Sequence, residues 1–196
     1  MSNSVNEILI IGLGLIGASI AKASKEKGII VHGYDIKKSV IKTAIEDNVI
    51  DQSIDSIEGL NNKSLIDKID LVIISVSPKA TQEIINQIPN LMNTKITITD
   101  TSSVKNHLKI SSISNFILSH PIAGSDKSGI ASLDQTLFEN KKTIICNPNN
   151  VEDVHLKKLT DFWKYAMQMR VSEMSVKEHD LLFAMTSHLP HLISYA

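Results

Sequence analysis

The sequence between residues 7 and 17 is Glu-Ile-Leu-Ile-Ile-Gly-Leu-Gly-Leu-Ile-Gly, a β-type run that leads directly into the spacing Gly-x-Gly-x-x-Gly. A helix-type stretch, residues 15–27, follows and ends before Gly28. A strand, a glycine turn and a helix in this order indicate a dinucleotide-binding unit. The reason is that the N–H groups and the positive dipole end at the helix N-terminus can hold a pyrophosphate.

The three glycines have separate roles in such a turn. Gly12 allows the tight bend, Gly14 lets the backbone approach the pyrophosphate, and Gly17 lets the helix pack closely on the strand. The predicted phosphate-binding set is Gly12, Gly14, Leu15, Ile16 and Gly17. A glycine turn that serves packing alone is the alternative, and the combination of strand, helix and a later acidic residue disfavours it.

That acidic residue is Asp35, at the end of the second predicted strand. It follows the turn by about 20 residues, the distance at which a carboxylate bonds the adenosine ribose hydroxyls. A carboxylate there would repel the 2′-phosphate of NADP, so NAD is the predicted cofactor. Lys37 and Lys38 follow closely and weaken this preference.

The rest of the chain alternates β-type and helical stretches. Further strands are predicted at residues 29–34, 71–76, 95–99, 116–119, 143–146 and 167–171, and helices at 38–47, 79–91, 104–111, 151–166 and 176–185. This alternation predicts an α/β fold, a doubly wound, mostly parallel sheet of the Rossmann type. Consecutive apolar residues at 8–11 and 71–74 indicate that helices cover both faces of the sheet.

Composition restricts the partners. The chain has 196 residues, 42% of them hydrophobic, and a formal net charge of -1, which favours a small-molecule partner over nucleic acid or an anionic membrane. No run approaches the roughly 20 apolar residues of a membrane helix, and residues 8–21 lack the basic flank of a signal peptide, so a cytoplasmic protein is expected. The single cysteine, Cys146, is expected to be buried in a strand.

Three further segments resemble the prephenate dehydrogenase family, which includes the arogenate dehydrogenases. They are residues 100–105 (Asp-Thr-Ser-Ser-Val-Lys), residues 120–129 (His-Pro-Ile-Ala-Gly-Ser-Asp-Lys-Ser-Gly), and residues 178–180 (Glu-His-Asp) followed by 187–191 (Ser-His-Leu-Pro-His). They resemble, in order and spacing, the family's Asp-x-x-Ser-x-Lys turn, its His-Pro signature and the segment that leads into its helical domain. Ser102 and Asp126 depart from the family's usual residues, where Gly or Ala and Glu are common.

This resemblance implies the NAD-dependent oxidative decarboxylation of prephenate to 4-hydroxyphenylpyruvate, a step of tyrosine biosynthesis. His120 would be the base at the ring hydroxyl, a role that suits an imidazole with an ordinary pKa of about 6.5. Ser103 would orient that imidazole or bond the same hydroxyl, and His191 and His188 would face the substrate. The loop of Ser75, Val76, Ser77 and Pro78 would pass beneath the cofactor.

Several alternatives stay open. His120 could be a strand-end histidine satisfied by the backbone, and Ser103 and Lys105 could merely cap and solvate a helix. His188 and His191 could bind a metal, but no third ligand is suggested, so no metal site is predicted. No role is assigned to four other histidines or to Trp163, which is expected in the core. The histidines are His32, His107, His155 and His179.

The resemblance also implies two regions, an NAD-binding domain at residues 1–174 and the start of a helical substrate and dimerisation domain at 175–196. The family's carboxylate-binding arginine belongs to that helical domain, and Arg170 is not that residue. We therefore expect the 196-residue chain to bind NAD, to turn over prephenate poorly or not at all, and to be a monomer or a weak dimer. An arogenate dehydrogenase and a noncatalytic NAD-binding module are the alternative functions. A hydroxy-acid dehydrogenase would not explain the His-Pro and His-Leu-Pro-His segments.

Overall fold

A computed structural model describes residues 5–57, 60, 63–92, 94–111, 113–124 and 127–185. These ranges contain eight strands and six α-helices, which alternate except that the fifth, sixth and seventh strands follow one another without an α-helix between them. The strands are β1 (Glu7–Ile11), β2 (Ile30–Tyr34), β3 (Gln52–Ser53), β4 (Leu71–Ile74), β5 (Thr97–Asp100), β6 (Phe116–Ile122), β7 (Lys142–Cys146) and β8 (Arg170–Glu173). The helices are α1 (Leu15–Lys25), α2 (Lys38–Glu46), α3 (Lys63–Ile66), α4 (Pro78–Gln87), α5 (Asp153–Asp161) and α6 (Val176–Phe183).

The strands form one sheet in the order β3-β2-β1-β4-β5-β6-β7-β8. Neighbouring strands run parallel except β6 and β7, which are antiparallel. The predicted doubly wound, mostly parallel fold is therefore confirmed. The strand order reverses between β1 and β4, and in such sheets ligands bind outside the carboxyl ends of the strands at this reversal.

Two apolar layers cover the two faces of the sheet. Along β1, Ile8 and Ile10 pack into one layer and Leu9 and Ile11 into the other, and all four side chains are fully buried. Burial of an aliphatic side chain of this size stabilises the fold by about 1.5–3 kcal/mol. The fully apolar strands thus fix the sheet that carries the site.

Two core predictions are also confirmed. Trp163 is completely buried, and its indole N–H donates to the Ser119 hydroxyl at 3.1 Å. Cys146 is buried in β7, and burial raises the pKa of its thiol to about 11. A thiol with so high a pKa is almost entirely protonated near neutral pH and therefore unreactive.

The predicted helix at residues 104–111 is wrong. This segment consists of turns, with one backbone hydrogen bond from Leu108 N–H to the Lys105 carbonyl. Three of its other N–H groups bond to distant side chains: those of Lys105 and Asn106 donate to Asp180, and that of Lys109 donates to Gln82. Tertiary partners thus replace the helical ladder.

Other boundaries shift for local reasons. Helix α4 ends at Gln87, because Pro89 cannot donate to a helical carbonyl, and a short 3-10 turn replaces its predicted last residues. The long helix predicted for 151–166 is α5 followed by a wider π-type turn at Phe162–Ala166. The short elements β3 and α3, with two and four residues, carry too little periodicity to be predicted.

No helix within the described ranges combines the length and the apolar character that crossing a bilayer requires.

Candidate functional site

The glycine turn adopts the geometry that its spacing predicts. Gly12 has φ +95°, and a Cβ there would lie 2.4 Å from the Ser75 carbonyl oxygen. A Cβ on Gly17 would lie 1.9 Å from the Gly12 carbonyl oxygen, so helix α1 and the turn touch through bare backbone. A Cβ on Gly14 would meet no atom within 4 Å. The turn is therefore closed toward the protein at two glycines and open at the third.

Gly14 is the N-cap residue of α1, and no described side chain caps it. The first N–H groups of a helix have no partner within the helix. Together with the dipole they form an anion site, and the open face at Gly14 gives a phosphate room to reach it. These features fit the pyrophosphate of a dinucleotide.

Asp35 braces the same turn from the end of β2. One carboxylate oxygen accepts the Leu13 N–H at 2.9 Å, and the other accepts the Lys37 N–H at 2.9 Å. Asp35 also lines a cavity of about 200 Å³ whose other walls include Gly12, Ile57 and Ile84. Glu83, an exposed residue, also lines this cavity, but Asp35 is the carboxylate that two backbone N–H groups hold in place. Largely apolar walls beside this fixed carboxylate suit an adenosine, with its ribose hydroxyls toward Asp35.

A second cleft, of about 470 Å³, lies at the carboxyl ends of β4, β5 and β6. It brings together the helix start, the loop after β4, the turn after β5 and the histidine of β6. Its lining includes Gly14, Leu15, Ile16, Ser75, Val76, Pro78, Ser103 and His120. Val76 lines both cavities, so they adjoin. Most of the predicted cofactor and catalytic residues thus face one continuous region.

Two predicted cofactor residues lie at its margin. Gly17 is buried beneath the turn. Ser77 is the N-cap of α4, and its hydroxyl accepts the Ala80 N–H at 3.4 Å. Both shape the region rather than line it.

His120 reaches the cleft because β6 extends beyond the end of β5. The pairing of β6 with β5 ends at Leu118, whereas its pairing with β7 continues through His120 to Ile122. The strand predicted to end at residue 119 is therefore longer, and His120 lies within it. Pro121, which has no N–H to donate, is tolerated beyond the last β5 pair.

Two residues of α6, His179 and Asp180, form a line of hydrogen bonds that begins at His120. The Nδ1 atom of His120 lies 2.9 Å from Nε2 of His179, and Nδ1 of His179 lies 2.7 Å from Asp180. Phe183 packs on both rings, with centroid distances of 4.7 Å. His179 is fully buried, although the sequence suggested no role for it. The one available signal was its position within the Glu-His-Asp segment.

The surroundings lower the pKa of both His179 and Asp180, which favours a neutral imidazole and an ionised carboxylate. Burial lowers the pKa of His179, and Lys105 adds to this effect, while the Asp180 hydrogen bond opposes it. Burial disfavours ionisation of Asp180, but hydrogen bonds from His179 and from the backbone N–H groups of Asn106 and Lys105 outweigh it and lower its pKa. A neutral imidazole next to a carboxylate results.

A buried ion pair supports the turn that carries Ser103. Lys105 Nζ lies 2.7 Å from an Asp100 carboxylate oxygen, and both side chains are 0% exposed. Lys105 also donates to the Ser119 carbonyl, and Asp100 accepts from the N–H and hydroxyl of Ser102. The alternative in which Lys105 only caps and solvates a helix is therefore wrong. Burial lowers the pKa of Lys105, against the opposing effect of Asp100.

The predicted substrate residues His188 and His191 lie outside the described residues, as does Asp126. Arg170 begins β8 and donates to the Asn140 carbonyl at 3.2 Å, and it is not part of the cleft lining.

Known proteins are similar to this chain in sequence and in fold. Residues 20–171 match the family model described as prephenate dehydrogenase, nucleotide-binding domain. Prephenate dehydrogenase of Lactococcus lactis subsp. cremoris is 32% identical over 97% of this chain and 52% of that protein. Cyclohexadienyl dehydrogenase of Zymomonas mobilis is 31% identical over 96% of this chain and 64% of that protein. The chain spans about half the length of the Lactococcus protein.

Solved structures of relatives have the same fold as this chain. The structure of Aquifex aeolicus prephenate dehydrogenase with hydroxyphenyl propionate and NAD+ has a TM-score of 0.86 and 30% identity, covering 100% of this chain and 68% of that one. Synechocystis arogenate dehydrogenase has a TM-score of 0.85 at 23% identity, covering 96% of this chain and 66% of that one, and shows the shared fold alone. On the family match, the sequence identity and the fold together, this chain belongs to the prephenate dehydrogenase family.

Proposed function

We propose that the chain serves the NAD-dependent oxidative decarboxylation of prephenate to 4-hydroxyphenylpyruvate. The observation that carries the proposal is the single cleft shared by the glycine turn, Ser103 and His120. The Aquifex relative was solved with NAD+ and a hydroxyphenyl acid, which supports the same pair of ligands here. Bound NAD would accept the hydride from the hydroxyl-bearing ring carbon, and carbon dioxide would leave as the ring becomes aromatic.

The residues of this chain supply binding and proton chemistry. Backbone N–H groups at the start of α1 hold the pyrophosphate, and Asp35 accepts from the ribose hydroxyls. His120 takes the proton of the ring hydroxyl, since general-base catalysis needs a neutral imidazole within hydrogen-bond reach of that proton. Ser103, on the same cleft wall, orients the hydroxyl or the imidazole.

We propose NAD rather than NADP as the cofactor, on the position of Asp35. The variant Asp35→Asn keeps an acceptor for the Leu13 N–H but loses the charge that repels a 2′-phosphate. We expect the ratio of NAD to NADP affinity to fall by at least about tenfold, which is about 1.4 kcal/mol. Calorimetric titration with both nucleotides measures it. Asp153→Asn, an exposed acid on α5, is the matched control, and equal ratios in all three proteins would contradict the assignment.

Turnover tests the reaction itself. NADH formation by the 196-residue chain is followed with prephenate and, separately, with arogenate. The proposed reaction predicts a lower rate with arogenate than with prephenate. We expect a low rate with prephenate itself, because the described cleft lining contains no arginine for the substrate carboxylates. His120→Ala is expected to lower this rate by about 10²–10⁴-fold, the usual contribution of a general base, without changing NAD affinity.

A matched control and two contrary outcomes complete this test. His32→Gln removes a histidine that pairs with Glu7 outside the cleft, and its rate should stay unchanged. Activity that survives His120→Ala would contradict the role of the base. No NADH from either substrate, with NAD bound normally, would favour a noncatalytic NAD-binding module instead.

Some expectations stay predictions. They are the domain boundary near residue 174, the substrate contacts of His188 and His191, a homodimer, the absence of a nucleic-acid partner and the cytoplasmic location.

A further inference from the structure

We infer that His179 and Asp180 are positioning residues that hold His120 in one tautomer, with its proton on Nδ1, so that Nε2 is the nitrogen that accepts the substrate proton. The inference rests on the proposed function for its catalytic meaning. Its structural content, the location of one proton on His120 and one on His179, stands on hydrogen-bond geometry and on the burial of His179.

The argument begins at Asp180, which can only accept. Its Oδ1 atom receives the Lys105 N–H at 3.0 Å, and its Oδ2 atom receives the Asn106 N–H at 2.8 Å. Backbone N–H groups are obligatory donors, so these two bonds require acceptor oxygens. The fixed carboxylate therefore faces Nδ1 of His179, 2.7 Å away, as an acceptor.

The proton on His179 then follows. Its Nδ1 must carry the hydrogen that Asp180 accepts. A neutral imidazole has one N–H and one lone pair, so Nε2 of His179 is an acceptor. Complete burial disfavours a second proton on this ring, even though Asp180 and Asp100 are near, and Lys105 disfavours it further.

The tautomer of His120 is fixed in turn. Its Nδ1 lies 2.9 Å from the accepting Nε2 of His179, so Nδ1 must be the donor. The proton of His120 is therefore on Nδ1, and the lone pair is on Nε2. The opposite arrangement would place a bare Nδ1 of His179 against the Asp180 carboxylate, two acceptors at 2.7 Å.

The fixed tautomer means that His120 accepts the substrate proton through Nε2. The proton leaves the substrate hydroxyl oxygen, forms a bond to Nε2 of His120 and stays there until it exchanges with water. His120 then carries a positive charge. The hydrogen bonds from His120 to His179 and from His179 to the anionic Asp180 stabilise this charge. This arrangement extends the aspartate–histidine logic of a catalytic triad by one imidazole.

The test reads the protons directly. The 196-residue chain is labelled with ¹⁵N-histidine, and imidazole nitrogen shifts are recorded above the ordinary histidine pKa of about 6.5. His120→Ala identifies the His120 signals by their loss. We expect both His120 and His179 to be protonated on Nδ1. Protonation of His120 on Nε2 would overturn the inference.

Asp180→Asn should reverse the direction of the two hydrogen bonds that link residue 180, His179 and His120. Oδ2 accepts the Asn106 N–H at 2.8 Å and lies 3.3 Å from Lys105 N, so an amide oxygen placed there keeps both backbone bonds. The amide nitrogen then faces His179 as a donor. We expect the protons of both imidazoles to move to Nε2, and rates to fall, as the equivalent change in the serine-protease triad lowers turnover by about 10⁴-fold.

Controls separate a positioning role from a structural one. Lys177→Ala changes an exposed side chain of the same helix and should leave the tautomers unchanged. For Asp180→Asn, an unchanged NAD affinity and backbone amide spectrum would show that the fold is intact, and kcat should fall with little change in KM. An unmoved His120 proton in Asp180→Asn would overturn the inference.

The two proposals fail in different ways. If the tautomers are as expected and no NADH forms, only the proposed reaction is contradicted. If NADH forms and His120 carries its proton on Nε2, only the positioning role is contradicted.

Discussion

Replacement of Lys105 by methionine is expected to lower the free energy of unfolding by about 3–5 kcal/mol, because it leaves the Asp100 carboxylate charged and buried without its partner. Both side chains are 0% exposed, so water cannot take the place of the lost ammonium group. Urea unfolding followed by the fluorescence of Trp163, the sole tryptophan, measures the loss.

The cause can be separated from lost packing. In the double variant Asp100→Asn/Lys105→Met no buried charge remains, so most of the lost stability should return. Lys157→Met removes the exposed partner of Asp161 on α5 and should change stability little. If the single and double variants unfold at the same urea concentration, the unpaired carboxylate is not the cause.

The Lys105–Asp100 pair also shows where sequence-based prediction ends. Lysines are rarely buried unless paired, so a solvated Lys105 near a helix start was a reasonable alternative. Its burial depends on Asp100 and on the carbonyl of Ser119 in the next strand. The same turn replaces the predicted helix at 104–111, since Asp180 takes two of its N–H groups across 74 and 75 residues of sequence.

Local patterns were more informative. The glycine turn, the apolar strands and the His-Pro segment each encode their geometry within a few neighbouring residues, and the structure places Gly14, Ser103 and His120 on one cleft. His179 could not be found in this way. Its contact with His120 spans 59 residues, and a buried histidine on a helix usually reads as core.

Replacement of Gly17 by alanine is expected to weaken NAD binding strongly and to lower the free energy of unfolding. The new Cβ would lie 1.9 Å from the Gly12 carbonyl oxygen, a backbone atom that cannot rotate away. Either α1 or the turn must move, and overpacking of this kind costs about 1–3 kcal/mol. We expect NAD affinity to fall by at least about 100-fold, or about 2.7 kcal/mol, since the N–H groups of α1 lose their alignment.

Gly14→Ala separates ligand binding from packing at the same turn. Its Cβ meets no protein atom within 4 Å, so the urea midpoint should not change. The methyl group would nevertheless occupy the open face through which a pyrophosphate reaches the helix N-terminus, so NAD affinity should still fall. Calorimetric titration and urea unfolding of both variants distinguish the two effects. If Gly14→Ala binds NAD as tightly as the unchanged chain, the phosphates do not approach this turn. NAD would then bind at a place other than the N-terminus of α1.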